Sequence, residues 1–200
     1  MRKIALTLAF VALSLMTFAT EGDGKTLKVV NTESVMNWKG SKVTGSHIGT
    51  INVASGTLEM DGNTLKSAQV IIDMTSIACT DADMRDEYKS KLVGHLSSAD
   101  FFNTAKFDTA TFDLTSFEPI ESKDGKNYQV TGNLTIKGIT NAITFPAKVA
   151  MSGKGVTVEA KVSIDRTKWD IKYGSGSFID NLGDNMIYDE MDINFMLVAK

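Results

Sequence analysis

Val156-Thr157-Val158-Glu159-Ala160-Lys161-Val162-Ser163-Ile164-Asp165 is the stretch that decides the fold. Val156, Val158, Ala160, Val162 and Ile164 stand at every second position, with Thr157, Glu159, Lys161, Ser163 and Asp165 between them. Successive side chains of a strand point to opposite faces, so the run reads as a strand with one buried and one wet face. The same period extends to both sides. Val130, Gly132, Leu134 and Ile136 alternate with Thr131, Asn133, Thr135 and Lys137. Ile143, Phe145, Ala147, Val149 and Met151 form another such set, and Met191, Ile193, Phe195 and Leu197 a fourth.

Earlier segments are less regular but still β-like: Val35 to Lys39, Gly45 to Val53, Gly56 to Met60, Ala68 to Met74 and Lys106 to Phe117. Short turns at Asp61-Gly62-Asn63, Lys123-Asp124-Gly125 and Ser152-Gly153 separate many of these runs. Turns of this kind make hairpins, so the sheet is expected to be antiparallel, with about eight or nine strands. One segment departs from the pattern. Thr80-Asp81-Ala82-Asp83 has the form of a helix start, an acid three residues after a capping hydroxyl. Met84, Tyr88 and Leu92 then recur every fourth residue, and Gly94 is a stop, which predicts one helix of about three turns. Such a helix either plugs one end of a barrel or serves as a crossover.

Strands with a single apolar face allow a sandwich or a closed barrel, and a barrel of about eight strands is either packed solid or holds one ligand. Periodicity does not separate these.

The N-terminus carries a different signal. Met1-Arg2-Lys3 is positive, Ile4 to Phe18 is an almost wholly apolar run of 15 residues, and Thr17-Phe18-Ala19 supplies small residues near a cleavage point. This is the order of a secretory leader, expected to end at about Ala19, with the domain in residues 20–200. The run falls short of the ~20 residues that span a bilayer. The mature chain of about 180 residues suits one domain and has no further apolar stretch long enough to cross a membrane. Without Arg2 and Lys3 the net charge goes from −3 to −5. That balance and the scattered basic residues argue against a nucleic-acid partner. Cys79 is the only cysteine, so no internal disulfide forms and the fold rests on packing. It reads as a small buried apolar residue rather than a nucleophile.

Catalytic and metal-binding motifs are absent from the sequence. There is no H-x-x-x-H, H-E-x-x-H or C-x-x-C spacing, no G-x-S-x-G elbow and no phosphate-binding glycine loop. No cofactor and no metal are expected. Of the two histidines, His47 shares a strand face with Gly49, Ile51 and Val53. It is either a satisfied core residue or a polar tip aimed into a cavity. His95 follows Gly94 at the expected helix end, where an imidazolium complements the helix dipole.

Several stretches together resemble the YceI-like family. They are Val35-x-x-Trp38-x-Gly40-x-Lys42 with Gly45-Ser46-His47-x-Gly49-Thr50-Ile51, then Ile72-Asp73-Met74-Thr75-Ser76-Ile77 and Gly94-His95-Leu96-x-Ser98-x-Asp100-Phe101-Phe102. Gly132 to Thr140 with Phe145-Pro146, and Ile164-Asp165-Arg166-Thr167-x-Trp169, complete the set in family order. The resemblance implies an all-β fold, a single eight-stranded antiparallel lipocalin-like β-barrel with one short helix and a long apolar tunnel. It implies binding of a polyisoprenoid, an isoprenoid quinone or another long-chain lipid, a periplasmic or secreted location, a homodimer in many members, and no catalytic residues. By these motifs the ligand-binding candidates are His47, His95, Asp100, Lys137, Arg166 and Trp169 at the head group, with Phe101 and Phe102 as wall or plug. Asp100 as a turn cap, Arg166 paired with Asp165 or Asp170 at the surface, and Trp169 packing the barrel end are the competing structural roles. Ser97-Ser98 stands where many relatives carry Lys-Ser, which removes one positive charge near the expected mouth. Two other readings stay open: an enzyme acting on a small apolar substrate in the same cavity, and an envelope interaction module with a filled core.

Overall fold

The computed structural model describes residues 24–122 and 124–200; the expected leader, residues 1–19, lies outside them. Among the described residues, nine strands and one α-helix follow one another: β1 Gly24–Lys28, β2 Val35–Lys42, β3 Gly45–Asp61, β4 Thr64–Cys79, α1 Asp86–Ser97, β5 Thr109–Pro119, β6 Tyr128–Ile136, β7 Ile139–Ser152, β8 Gly155–Asp165 and β9 Ile187–Ala199. Every strand pairing is antiparallel. The order β3-β2-β9-β8-β7-β6-β5-β4 returns to β3 through the β3–β4 pairing, so the sheet closes into a barrel. The ninth strand does not widen it. β1 pairs with Thr57–Asp61 of β3 and β2 with Gly45–Thr50 of the same strand. The two therefore form one stave of the barrel, interrupted by a 3-10 turn at Asn31–Glu33, and the barrel has eight positions. Lys28 and Lys200 exchange backbone hydrogen bonds of 2.8 and 2.9 Å, which ties the β1 half of that stave to the end of β9.

The alternation seen in the sequence becomes an inner and an outer face. In β7, Phe145, Ala147 and Val149 are buried, and in β8, Val156, Val162 and Ile164. Burying such a side chain contributes about 1.5–3 kcal/mol, and a closed barrel has no free edge. The turn Lys137-Gly138 joins β6 to β7 with φ of 52° and 74°. Positive φ at both central residues is the hairpin turn whose twist suits the strands it joins.

Several boundaries differ from the sequence reading. Gly45 to Val53 and Gly56 to Met60 are one strand, β3. Its inward residues change phase at Ala54-Ser55, both exposed, where a register shift against β4 puts an extra residue into the ladder. Such bulges recur along β3 and β4 and let these long strands bend round the barrel. Lys106 to Asp108 precede β5 rather than belong to it. The helix begins at Asp86, later than the Thr80-Asp81-Ala82-Asp83 motif suggested, and runs through Gly94 to Ser97. Its N-cap, Arg85, makes no side-chain capping bond. Asp81 has a different use, described below.

Candidate functional site

A cavity of about 260 Å³ runs inside the barrel, lined from β2 through β9 and by α1. Its two ends differ. At the end where β3 turns into β4 and β7 into β8, the lining is Val29, Leu58, Leu65, Val156 and Ala199, all apolar. At the opposite end the lining includes Lys42, His47, His95, Arg166, Tyr188 and Glu190. That end is the mouth, and α1 lies beside it with Leu92 and Leu96 facing the cavity. Between the ends the wall is Val, Ile, Leu, Phe and Met, with Met36, Met74 and Met191 among them; methionine gives a surface that adapts to irregular shapes.

Two glycines keep the lumen open. A Cβ on Gly49 would lie 2.4 Å from the Trp38 ring, and one on Gly132 would lie 2.3 Å from Phe112. Each glycine lets a large aromatic side chain lie against the wall instead of crossing the lumen. Trp38 is held there by its Nε1–H, which donates to the Thr50 carbonyl at 3.2 Å.

His47 is built into the mouth by Asp81. Its Nδ1 donates to Asp81 Oδ2 at 2.6 Å, and the Ile48 amide donates to Asp81 Oδ1 at 2.9 Å. Thr80 N–H also donates to the Ile48 carbonyl at 2.9 Å, so the segment leading into α1 is fastened to the start of β3. Partial burial pushes the Asp81 carboxyl up, but the hydrogen bonds from His47 and Ile48 and the nearby imidazole outweigh it and hold it below the usual range. Asp81 is therefore ionised at neutral pH and accepts only, which leaves the Nδ1 proton on His47 and its Nε2 on the far edge of the ring. Cys79 sits beside Asp81; burial pushes its thiol up, the Asp81 backbone hydrogen bond opposes this, and the Asp81 charge reinforces it.

Arg166 lies at the same end but is 3% exposed. Its guanidinium donates to the carbonyls of Ile171 at 2.7 Å and of Tyr188 and Ile187 at 3.2 Å each, and to Asp189 Oδ1 at 3.4 Å. It also stacks over Phe101, 5.4 Å from the ring centre. The surface pairing with Asp165 or Asp170 considered from sequence is replaced by a part-buried pairing with Asp189. Burial pushes the guanidinium pKa down, and Asp189 and Asp165 partly restore it. Burial pushes Asp189 up, but hydrogen bonds from Ser175 and Ser177 and the charge of Arg166 outweigh it and hold it low. Arg166 thus clamps the start of β9 to the 3-10 turn Arg166–Trp169 that follows β8.

The other sequence candidates divide. His95 lines the cavity between the rings of Tyr173 and Phe101, at centroid distances of 4.4 and 5.3 Å. Phe101 and Phe102 line it too and are buried. Trp169 is buried and donates to the Leu134 carbonyl at 3.0 Å, packing the barrel end outside the cavity wall. Lys137 is in the β6–β7 turn, its Nζ donating to the Asp170 carbonyl at 3.0 Å. Asp100 is exposed on the turn after α1. Neither lines the cavity. Asp81, Tyr188, Asp189 and Glu190 were not singled out in the sequence as site residues. The Asp81 and Asp189 partners lie 34 and 23 residues away, so no local pattern marks them.

A closed antiparallel barrel with an apolar cavity, open beside a helix, defines an all-β lipocalin-like protein. The chain matches the YceI-like domain over residues 27–199 and belongs to that family. It is 35% identical over 136 residues to Protein YceI of Escherichia coli O17:K52:H18, an alignment covering 64% of this chain and 65% of that protein's length. It is 30% identical over 157 residues to a UPF0312 protein of Vibrio vulnificus, covering 77% of each. Among solved structures, Burkholderia cenocepacia BcnA superposes with a TM-score of 0.66 at 26% identity, over 86% of this chain and 99% of that one. A polyisoprenoid binding domain from Saccharophagus degradans, implicated in plant cell wall breakdown, shares the fold with a TM-score of 0.59 at 17% identity, over 87% and 97% of the two chains.

Proposed function

We propose that this protein binds and carries a long-chain apolar lipid, a polyisoprenoid or an isoprenoid quinone, in its barrel cavity without chemically altering it. The observation that carries this reading is the cavity itself, apolar along its length and polar only at the mouth. Each CH₂ moved from water onto such a wall gains ~0.8 kcal/mol, so a long tail binds tightly without polar contacts. A few polar groups at one end then suffice to orient the head. The Saccharophagus degradans domain of the same fold is named for polyisoprenoid binding, which supports the assignment. An apolar ligand of this kind needs shelter in the aqueous space beside a membrane, and the N-terminal leader-like sequence supports a periplasmic or secreted protein.

The cavity removes the support for a filled-core interaction module. His47 and Asp81 form the arrangement closest to a catalytic base with its orienting acid. The neighbouring Cys79 thiol, pushed up by burial, is a poor nucleophile. The test is extraction. Protein purified natively from its source should release a lipid identifiable by mass spectrometry. A protein that is empty and also fails to take up isoprenoid quinones in vitro contradicts the proposal, as does substrate turnover that is lost on His47→Ala.

A further inference from the structure

The charges at the mouth carry an inference about the head group, which rests on the carrier reading. Two cations, Lys42 and Arg166, line that end together with Glu190, and the carboxylates of Asp81 and Asp189 sit directly behind His47 and Arg166. Lys89, whose charge reaches Cys79 beside Asp81, is paired with Asp86 on α1, so three carboxylates stand against two cations at this end. Arg166 offers a ligand anion little, because four of its five N–H donors are engaged by Asp189 and three carbonyls and its charge is offset by Asp189. Lys42 is exposed, and its charge is screened by solvent. A phosphorylated head group at the mouth would lie close to Asp81 and Glu190 with only the solvent-screened Lys42 as a free counter-charge, which is costly.

His47 offers something else. Asp81 engages the Nδ1 side of the ring, so in the singly protonated imidazole Nε2 is the hydrogen-bond acceptor. Among the described residues Nε2 has no partner, and the ring is 31% exposed at the cavity mouth. An acceptor at the polar end of an apolar cavity matches a head group that donates.

We infer that the mouth selects an uncharged hydroxyl head group, as on an isoprenoid alcohol, and discriminates against the phosphorylated form of the same tail. Trp38 lines the cavity, so its fluorescence reports occupancy by three probes sharing one tail: farnesol, farnesyl diphosphate and the hydrocarbon farnesene. At pH 8, farnesol should bind best and the diphosphate at least about tenfold more weakly, because the carboxylates at the mouth outnumber its cations. His47→Phe should lower farnesol affinity about fivefold, the worth of one neutral hydrogen bond, and leave farnesene unchanged. Asp81→Asn removes a negative charge and should narrow the gap between farnesol and its diphosphate. Thermal melts confirm that both variants fold, and the ranking in the unaltered protein is decisive by itself. Diphosphate binding as tight as farnesol, or a His47→Phe loss equal for all three probes, overturns the inference. Failure of farnesene and farnesol alike to bind overturns the carrier reading instead.

Discussion

Replacing Arg166 by alanine should cost more than any substitution of an exposed charge in the molecule. The side chain is 3% exposed and its partner Asp189 is 17% exposed. Removing the guanidinium strands a partly buried carboxylate and takes the donor from the carbonyls of Ile171, Ile187 and Tyr188. Breaking a fully buried ion pair from one side costs roughly 3–5 kcal/mol, and the partial exposure of Asp189 puts this change at the lower end, about 3 kcal/mol. By comparison, an exposed pair such as Lys91–Glu87 is worth about 0.3–0.5 kcal/mol. With a urea m-value of about 1–3 kcal/mol per molar, Arg166→Ala should lower the unfolding midpoint by more than about 1 M. The assay is equilibrium urea unfolding followed by the fluorescence of Trp38 and Trp169. Asp189→Asn keeps an acceptor for Ser175 and Ser177 and should cost less. The double variant Arg166→Met/Asp189→Asn should be less destabilised than the sum of its single changes, because neither partner is left charged and alone. A midpoint for Arg166→Ala within experimental error of the unaltered protein would refute the clamp, and with it the account of how the β9 start is held at the mouth.

Three further outcomes are expected. Asp81 and Asp189 both have carboxyls held below the usual range; their contribution to stability is present above the unfolded carboxylate pKa of about 3.9 and is lost as pH falls through the lower folded value. The melting temperature should therefore drop from pH 5 to pH 3, less steeply in Asp189→Asn, and an unchanged slope would count against the assignment. Gly132→Val places atoms where Phe112 and the Asp113 carbonyl stand, 2.3 and 2.6 Å from a Cβ; thermal unfolding should show a loss of roughly 1–3 kcal/mol. Ala110→Phe fills part of the lumen from a wall position on β5; lipid uptake, measured by extraction, should fall more than about tenfold at modest cost in stability.

Much of this molecule is legible in its sequence, but unevenly. β6 to β9 are plain because their inward residues are apolar and their outward ones mostly polar, without interruption. β3 is harder, because the bulge at Ala54-Ser55 shifts the inward set from His47, Gly49, Ile51 and Val53 to Gly56, Leu58 and Met60. Simple alternation therefore breaks one long strand into two. The helix start is misread for a physical reason: Thr80 and Asp83 have the spacing of a cap, yet Asp81 is taken up by His47 and the Ile48 amide, which hold this segment against β3, and the helix starts at Asp86. Closure of the sheet depends on β4 pairing with both β3 and β5, a long-range fact that periodicity does not carry. The site follows the same division. His47, His95 and the Phe101-Phe102 pair sit in motifs and reach the cavity, whereas Asp189 has meaning only once Arg166 is folded against it.

The account turns on one claim, that the space inside the barrel holds a lipid. Native mass spectrometry of the protein purified from its source tests it most directly, with Ala110→Phe prepared in parallel. The account predicts a mass increment of one lipid per barrel in the unaltered protein, removed by delipidation, restored by an isoprenoid and absent from the Ala110→Phe variant. No increment before or after incubation with isoprenoids, or an increment that Ala110→Phe leaves untouched, would contradict it.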